Sequence, residues 1–275
     1  MYDRLMSFTI FLDMLGFSNK IGKITEEEKA KDFILFMESN KGIFEIMKNL
    51  DRKELFNYNY DFKFTFISDS IVLLAYPKKL QKQVNSNEYY DLSIKMFMDI
   101  CNKLLILFFN IWEKEKILLR GGISNKYSYI KNEFIVGEGI IEAYKLENKN
   151  DGAIYPRIIL SNNLTNDIKF MKTLKQYSRK LYKTNKNIIT KDEDNLFFFN
   201  YLNLLYNQEQ KHLYNNEKIK ESNKKFYSFH KKAIEEMELF MKSQFGKKGY
   251  EKIKAKYNWI KSYHNNNVDD EYKIM

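Results

Sequence analysis

Phe62–Tyr76 reads FKFTFISDSIVLLAY. Two runs of aromatic and branched residues, Phe62 to Ile67 and Ile71 to Tyr76, flank Ser68-Asp69-Ser70, so the stretch predicts two strands joined by a tight turn. Pro77 closes the second strand, having no N–H for a ladder. Upstream, Ser7 to Leu12 predicts a strand ending at Asp13, followed by the turn Leu15-Gly16-Phe17-Ser18. Between strand and hairpin, Thr25-Glu26-Glu27-Glu28 has the capping-box pattern. Ala30, Phe33, Ile34, Met37, Phe44 and Met47 then recur at helical spacing, with Gly42 as an interruption. Downstream, Tyr89 to Lys114 predicts a long amphipathic helix. Ile117 to Leu119 begins a strand that Arg120-Gly121-Gly122 closes, and Phe134 to Val136 reads as its hairpin partner. Gly137-Glu138-Gly139 opens a helix through Leu146, and Tyr155 to Leu160 is a further strand with Pro156 at its start.

The succession β-α-β-β-α-β with a trailing β-α-β predicts an α+β fold: a split βαβ (ferredoxin-like βαββαβ) sheet with helices on one face. Beyond residue 162 the chain becomes rich in Lys and Asn, with one short strand (Leu196 to Tyr201) before a long helical region, Glu217 to Ser262. The expected division is a catalytic domain over 1–165 and, over 166–275, a strand and long helical C-terminal extension packed on it.

Hydrophobic residues make up 44% of the 275, enough for a sizeable core. The single cysteine, Cys101, excludes an internal disulfide and a Cys-based zinc site, and fits a reducing cytoplasm. Met1-Tyr2-Asp3-Arg4 lacks the pattern of a signal peptide, and Leu104 to Trp112 is too short to span a bilayer, so a cytoplasmic location without membrane partners is expected. The net charge of +10 is diffuse and lysine-based, with neither a clustered stripe nor a nucleic-acid-binding motif. His212, His230 and His264 share no helix face at i, i+4, which leaves an imidazole metal site unsupported. Chemistry must then rest on carboxylates, Lys or Arg, backbone amides and a hard metal ion.

Asp13 follows an apolar strand, where a carboxylate is costly to bury alone; a helix-cap or turn Asp reads the same way. Asp69 sits at a hairpin tip, where Ser-Asp-Ser is ordinary turn chemistry. In the split βαβ order, however, the first and third strands are neighbours, so the two carboxylates converge on one edge. Two such groups repel unless a cation lies between them. That pair suits attack of a ribose 3′-OH on an α-phosphate, with divalent ions at hydroxyl and triphosphate.

Phe11 to Ser18 (FLDMLGFS) resembles the first metal motif of class III nucleotidyl cyclases, Ile67-Ser68-Asp69-Ser70 their second metal hairpin, and Gly137 to Glu147 (GEGIIEAYKLE) their catalytic helix. Leu119 to Ser124 (LRGGIS), Tyr155-Pro156-Arg157, and the ending Lys256-Tyr257-Asn258-Trp259 with Tyr263-His264-Asn265 are similar to the pyrimidine cyclases of Pycsar antiphage systems. The resemblance implies a uridylate cyclase that converts UTP to 3′,5′-cyclic UMP, with CTP as the alternative substrate and cyclic CMP its product. It implies a homodimer with sites between protomers and a separate effector activated by the cyclic nucleotide. It further implies two Mn²⁺ or Mg²⁺ ions at Asp13, Met14 and Asp69, phosphate contacts at Gly16 and Phe17, and base contacts from Arg120 with Tyr58 or Tyr60.

The sequence also departs from that pattern. The helix positions that supply a transition-state Asn and Arg in the wider family fall at Ile141 and Lys145; Lys145 keeps the charge without the guanidinium fork. Thr65 stands where purine enzymes carry Lys or Glu, which points to a pyrimidine. Arg120 reads equally as an ion-pair partner, Lys145 as a solvated lysine and Phe17 as core. An inactive cyclase-fold nucleotide-binding module is the competing expectation, favoured by Ile141; a nucleic-acid binder and a diguanylate-type cyclase fit the motifs less well.

Overall fold

A computed structural model describes residues 1–17, 24–46, 60–67, 69–132, 134–148, 154–211 and 217–275. The predicted hairpin forms from strands β2 (Tyr60–Ile67) and β3 (Ser70–Pro77). β1 (Phe8–Met14) lies against β3 and, on its other edge, against β4 (Leu119–Ser124), antiparallel to both. β7 (Ile158–Leu160), β9 (Phe197–Phe199) and β8 (Ile189–Lys191) extend the sheet to seven strands in the order β2-β3-β1-β4-β7-β9-β8, with β4 and β7 parallel. β5 (Tyr129–Lys131) and β6 (Phe134–Val136) form a separate pair. Eight helices are described: α1 (Glu27–Ile46), α2 (Ser86–Glu115), α3 (Glu138–Asn148), α4 (Asn162–Thr165), α5 (Ile168–Tyr182), α6 (Tyr201–Lys211), α7 (Glu217–Ser243) and α8 (Tyr250–Asn265). The architecture is α+β with a mixed sheet.

Strand alternation divides the apolar side chains between the faces. Phe8, Ile10, Leu12 and Met14 enter the main core, with Ile71, Leu73 and Ala75 of β3 and the buried stripe of α2. Phe11, Val72 and Leu74 point the other way, onto Ala143 of α3 and Ile130 of β5. The expectation of helices on one face is therefore corrected: α3 lies opposite α2. Gly122 makes this possible, since a Cβ there would meet the Ala143 carbonyl oxygen at 2.5 Å and Leu146 Cβ at 2.5 Å.

Other expectations shift for similar reasons. β4 runs through Arg120-Gly121-Gly122 instead of ending there, because the glycines let β1 and α3 approach closely. β6 pairs with β5, not with β4. β8, α5 and α6 were not foreseen, and the expected long helical region consists of two helices, with Gly246 and Gly249 between them, both in the left-handed region at φ +75° and +92°. α2 carries Asp99 and Lys103 within its apolar stretch. The Lys103 ammonium is buried, 2.9 Å from Asp99 and 3.6 Å from the Phe62 ring centroid, so both charge and stem are matched.

The extension completes the sheet and core through β8, β9 and helices α5 to α8. Arg157, fully buried at the start of β7, is clasped by Asp192 and Asp194 from the β8–β9 turn. Trp259 of α8 donates its indole N–H to Asp192 at 2.8 Å and stacks on Tyr155. Among the described residues, no helix is long and apolar enough to cross a membrane. Cys101 is buried.

Candidate functional site

β1 delivers Asp13 on the α3 side of the sheet, in step with Phe11. Asp13 pairs with Ser70 of β3 across one edge and with Arg120 of β4 across the other. The Asp69 carbonyl accepts the Met14 N–H at 3.1 Å, so the hairpin tip is tied to the residue after Asp13. The two acidic residues therefore share one end of the sheet, where both are half-buried.

Two further side chains complete the centre. Arg120 donates from Nε to Asp13 Oδ2 at 2.8 Å, while its Nη2 lies 2.5 Å from Glu147 Oε1 on the inner face of α3. The second contact is a charge contact without hydrogen-bond alignment, since Oε1 has no aligned donor. Glu147 is only 3% exposed at its side chain. Burial pushes its carboxyl above the usual range and Arg120 opposes that rise, while the negative charges of Asp13 and Asp69 add to it. From α8, the half-buried Lys256 joins the same field. Burial and Arg120 lower its ammonium below the ordinary value, and Asp13 and Glu147 oppose the shift.

The other expected site residues divide clearly. Gly16 adopts φ +77° with open space where a Cβ would stand, leaving the turn accessible at that point. The Phe17 N–H donates to the Met14 carbonyl at 3.2 Å, and its buried ring packs on Phe33. Phe17 is thus a core residue whose amide closes the turn, and Met14 offers at most the second lone pair of its carbonyl, its side chain being buried. Arg120 is occupied by Asp13 and Glu147, which is the ion-pair alternative rather than a free base reader. Tyr60 lies at the far end of β2, opposite Pro77 and ~23 Å from the tip at ~3.3 Å per residue. Its hydroxyl is buried and donates to the Met6 carbonyl at 2.8 Å, so base contact from Tyr60 is corrected to a structural role. Tyr58 lies outside the described residues. Lys145 is exposed on α3, turned away from the face that carries Ala143 and Glu147.

Sequence reading missed Glu147 and Lys256. Glu147 was within reach: Ala143 and Glu147 are spaced i, i+4 and share the inner face of the helix. Lys256 lay within a stretch noted only for its resemblance, and no role followed from it, because its place depends on how α8 docks.

Among the described residues, no three His, Cys, Asp or Glu side chains gather as a ready metal cage. The donor set still fits a hard divalent ion. Mg²⁺ is commonly held by one or two carboxylates plus substrate phosphates, not by an all-protein shell, and Asp13 and Asp69 are half-buried oxygen donors of that kind at one sheet end. No protein-family model matches the chain, and no curated protein matches it.

Proposed function

We propose that the protein is a pyrimidine nucleotidyl cyclase that converts UTP into 3′,5′-cyclic UMP and pyrophosphate, with CTP as the alternative substrate. The observation that carries this reading is the meeting of Asp13 and Asp69 at one sheet end, between the first strand and the tip of the β2–β3 hairpin. The reaction joins the ribose O3′ to the α-phosphorus, breaks the bridge to the β-phosphate, and releases pyrophosphate and the hydroxyl proton. Asp13 and Asp69 would hold Mn²⁺ or Mg²⁺, which when bound would supply positive charge for the hydroxyl and the triphosphate. Arg120, gripped by Glu147, orients Asp13 and balances its charge. The strand order β4-β1-β3-β2, with α3 against β1 and β4, supports a class III cyclase-like sheet, as do the motif resemblances around Asp13, Asp69 and Gly121.

A homodimer is part of the proposal. Phe134 and Val136 of β6, Tyr127 beside β5, and Ile141 and Tyr144 of α3 are all exposed, and they belong to elements gathered on the α3 side of the sheet. Such a patch is more apolar than a lone surface needs and suits a second copy. Production of a messenger that activates a separate effector during phage infection rests on the motif resemblance.

Incubation with the four ribonucleoside triphosphates and Mn²⁺, followed by mass spectrometry, tests the reading. Cyclic UMP or cyclic CMP is expected from the native chain. Asp13→Asn and Asp69→Asn should each lower product by about 100-fold or more while the circular dichroism spectrum is kept. An unchanged rate in Asp69→Asn would end the proposal. The Arg120–Asp13 ion pair favours one competing reading, a nucleotide-binding module without turnover; tight UTP binding in Mn²⁺ with no cyclic product would establish it.

A further inference from the structure

α5 turns two different flanks to its surroundings. Phe170 and Leu174 are buried in the core, Phe170 against the rings of Phe8 and Phe97. Ile168, Lys172, Lys175 and Arg179 fall at i, i+4, i+7 and i+11, hence along one stripe, and all four are exposed. Between this stripe and the outermost strand of the sheet, β8, lies a cavity of about 500 Å³. Its apolar floor comes from Met171 and Leu174 of α5, Ile188 and Ile189 at the start of β8, and Phe197 of β9. Lys172, Lys175, Arg179 and Lys186 also line it, and no Asp or Glu does. The Lys186 ammonium is engaged over the Tyr206 ring, 3.7 Å from its centroid. Among the described residues, no carboxylate pairs with Lys172, Lys175 or Arg179. β8 stands four strands from β1, ~19 Å at ~4.8 Å per strand, so the cavity is separate from the Asp13–Asp69 centre.

We propose that this cavity binds a small anionic amphiphile, its apolar body on the floor and its carboxylate or phosphate head among Lys172, Lys175 and Arg179. A concave, mostly apolar hollow with a few convergent charged groups is the usual form of a small-molecule site, and its volume is of the usual size. Long basic side chains lay their stems over apolar surface and carry their charge to the rim, where an anionic head would meet it. Three cations on one stripe repel each other, and an anion from outside the chain relieves that repulsion. A fatty carboxylate and an alkyl phosphate share this chemistry. Neither Asp13 nor Asp69 takes part, so the site stands or falls apart from the cyclase reading.

Decanoate and decyl phosphate, kept below micelle formation, are titrated into the full chain by calorimetry, with hexanoate, decanol and inorganic phosphate as comparisons. One saturable site per chain is expected for at least one of the ten-carbon anions, and the tighter of the two identifies the head. Hexanoate should bind about 100-fold more weakly than decanoate, as the loss of four buried methylenes implies. Decanol should bind about tenfold more weakly, lacking charge-assisted contacts, and inorganic phosphate should not saturate in the same range. Lys175→Glu combined with Arg179→Glu should weaken decanoate by about tenfold or more and create binding of decylammonium. Lys180→Ala, exposed on α5 outside the cavity, should match the native chain. Failure of both ten-carbon anions to saturate, decanol binding as tightly as decanoate, or displacement of decanoate by UTP would overturn the proposal. So would an unchanged affinity in the double variant, or a dimer in sedimentation that closes the cavity to decanoate. The chain-length and head-group comparisons use the native chain, so they decide the matter even where the double variant folds poorly.

Discussion

Arg120 shows how one side chain organises the centre. Its fork reaches Asp13 on the neighbouring strand and Glu147 on the covering helix, so strand register and helix docking are both read out at one guanidinium. A buried carboxylate deprived of its partner is costly, because desolvation is no longer offset by attraction. Arg120→Ala should therefore destabilise the fold by about 2–4 kcal/mol in urea unfolding near neutral pH. Adding Glu147→Gln removes the stranded charge and should recover a good part of that loss; a fully additive double variant would show that the two groups do not interact. Arg120→Lys should keep the charge and lose the fork, giving an intermediate stability.

Among the elements, β4 is the one whose sequence looks weakest and whose place is most constrained. Two consecutive glycines ordinarily weaken a strand, yet here they admit neighbours that a side chain would exclude. A Cβ at Gly121 would stand 2.1 Å from the Phe11 carbonyl oxygen and 2.9 Å from Leu12 Cδ2, both on the strand that carries Asp13. Gly121→Ala should cost about 3 kcal/mol or more in thermal unfolding and reduce cyclic nucleotide formation with it. Gly42 gives the contrast: it sits inside α1 with nothing within 4 Å of its added Cβ. Gly42→Ala should raise stability by about 0.5–1 kcal/mol, the helix-propensity difference alone. Equal effects at the two positions would contradict the packing described for β4.

Across the whole molecule, a buried polar chain links helices α6, α7 and α8 with the segment that follows them. The Tyr201 hydroxyl lies 3.0 Å from His230 Nε2, His230 Nδ1 lies 2.9 Å from His264 Nδ1, and His264 Nε2 lies 2.9 Å from the Tyr272 carbonyl. The carbonyl can only accept, so His264 carries its proton on Nε2 and accepts at Nδ1. His230 then donates from Nδ1 and accepts from Tyr201 at Nε2. Both rings are neutral in this arrangement, and burial holds both below the ordinary histidine value. With the folded values depressed, the unfolded chain binds more protons in acid. The stabilisation is complete above the unfolded value of about 6.5 and is lost as pH falls below it. The thermal transition should drop progressively below about pH 6.5, and His230→Gln should be less stable at pH 8 with a flatter acid limb. Parallel pH profiles for the two chains would rule out the pair as the source.

Much of the central sheet was legible because its signals are local. Alternation and turn chemistry around Asp69 specify a hairpin whatever surrounds it, and the first six elements then allow β1 to lie beside β3. The two carboxylates followed from that order alone. What only the tertiary structure decided depends on contacts between segments distant in the chain. The glycines of β4 read as a stop until β1 and α3 were seen pressed against them. Tyr60 read as a base contact until its depth beneath Met6 was known. Lys256 and Glu147 acquire meaning only once α8 and α3 have docked. Backbone periodicity is written residue by residue, whereas the company a charged side chain keeps is set by packing, and packing is a property of the whole chain.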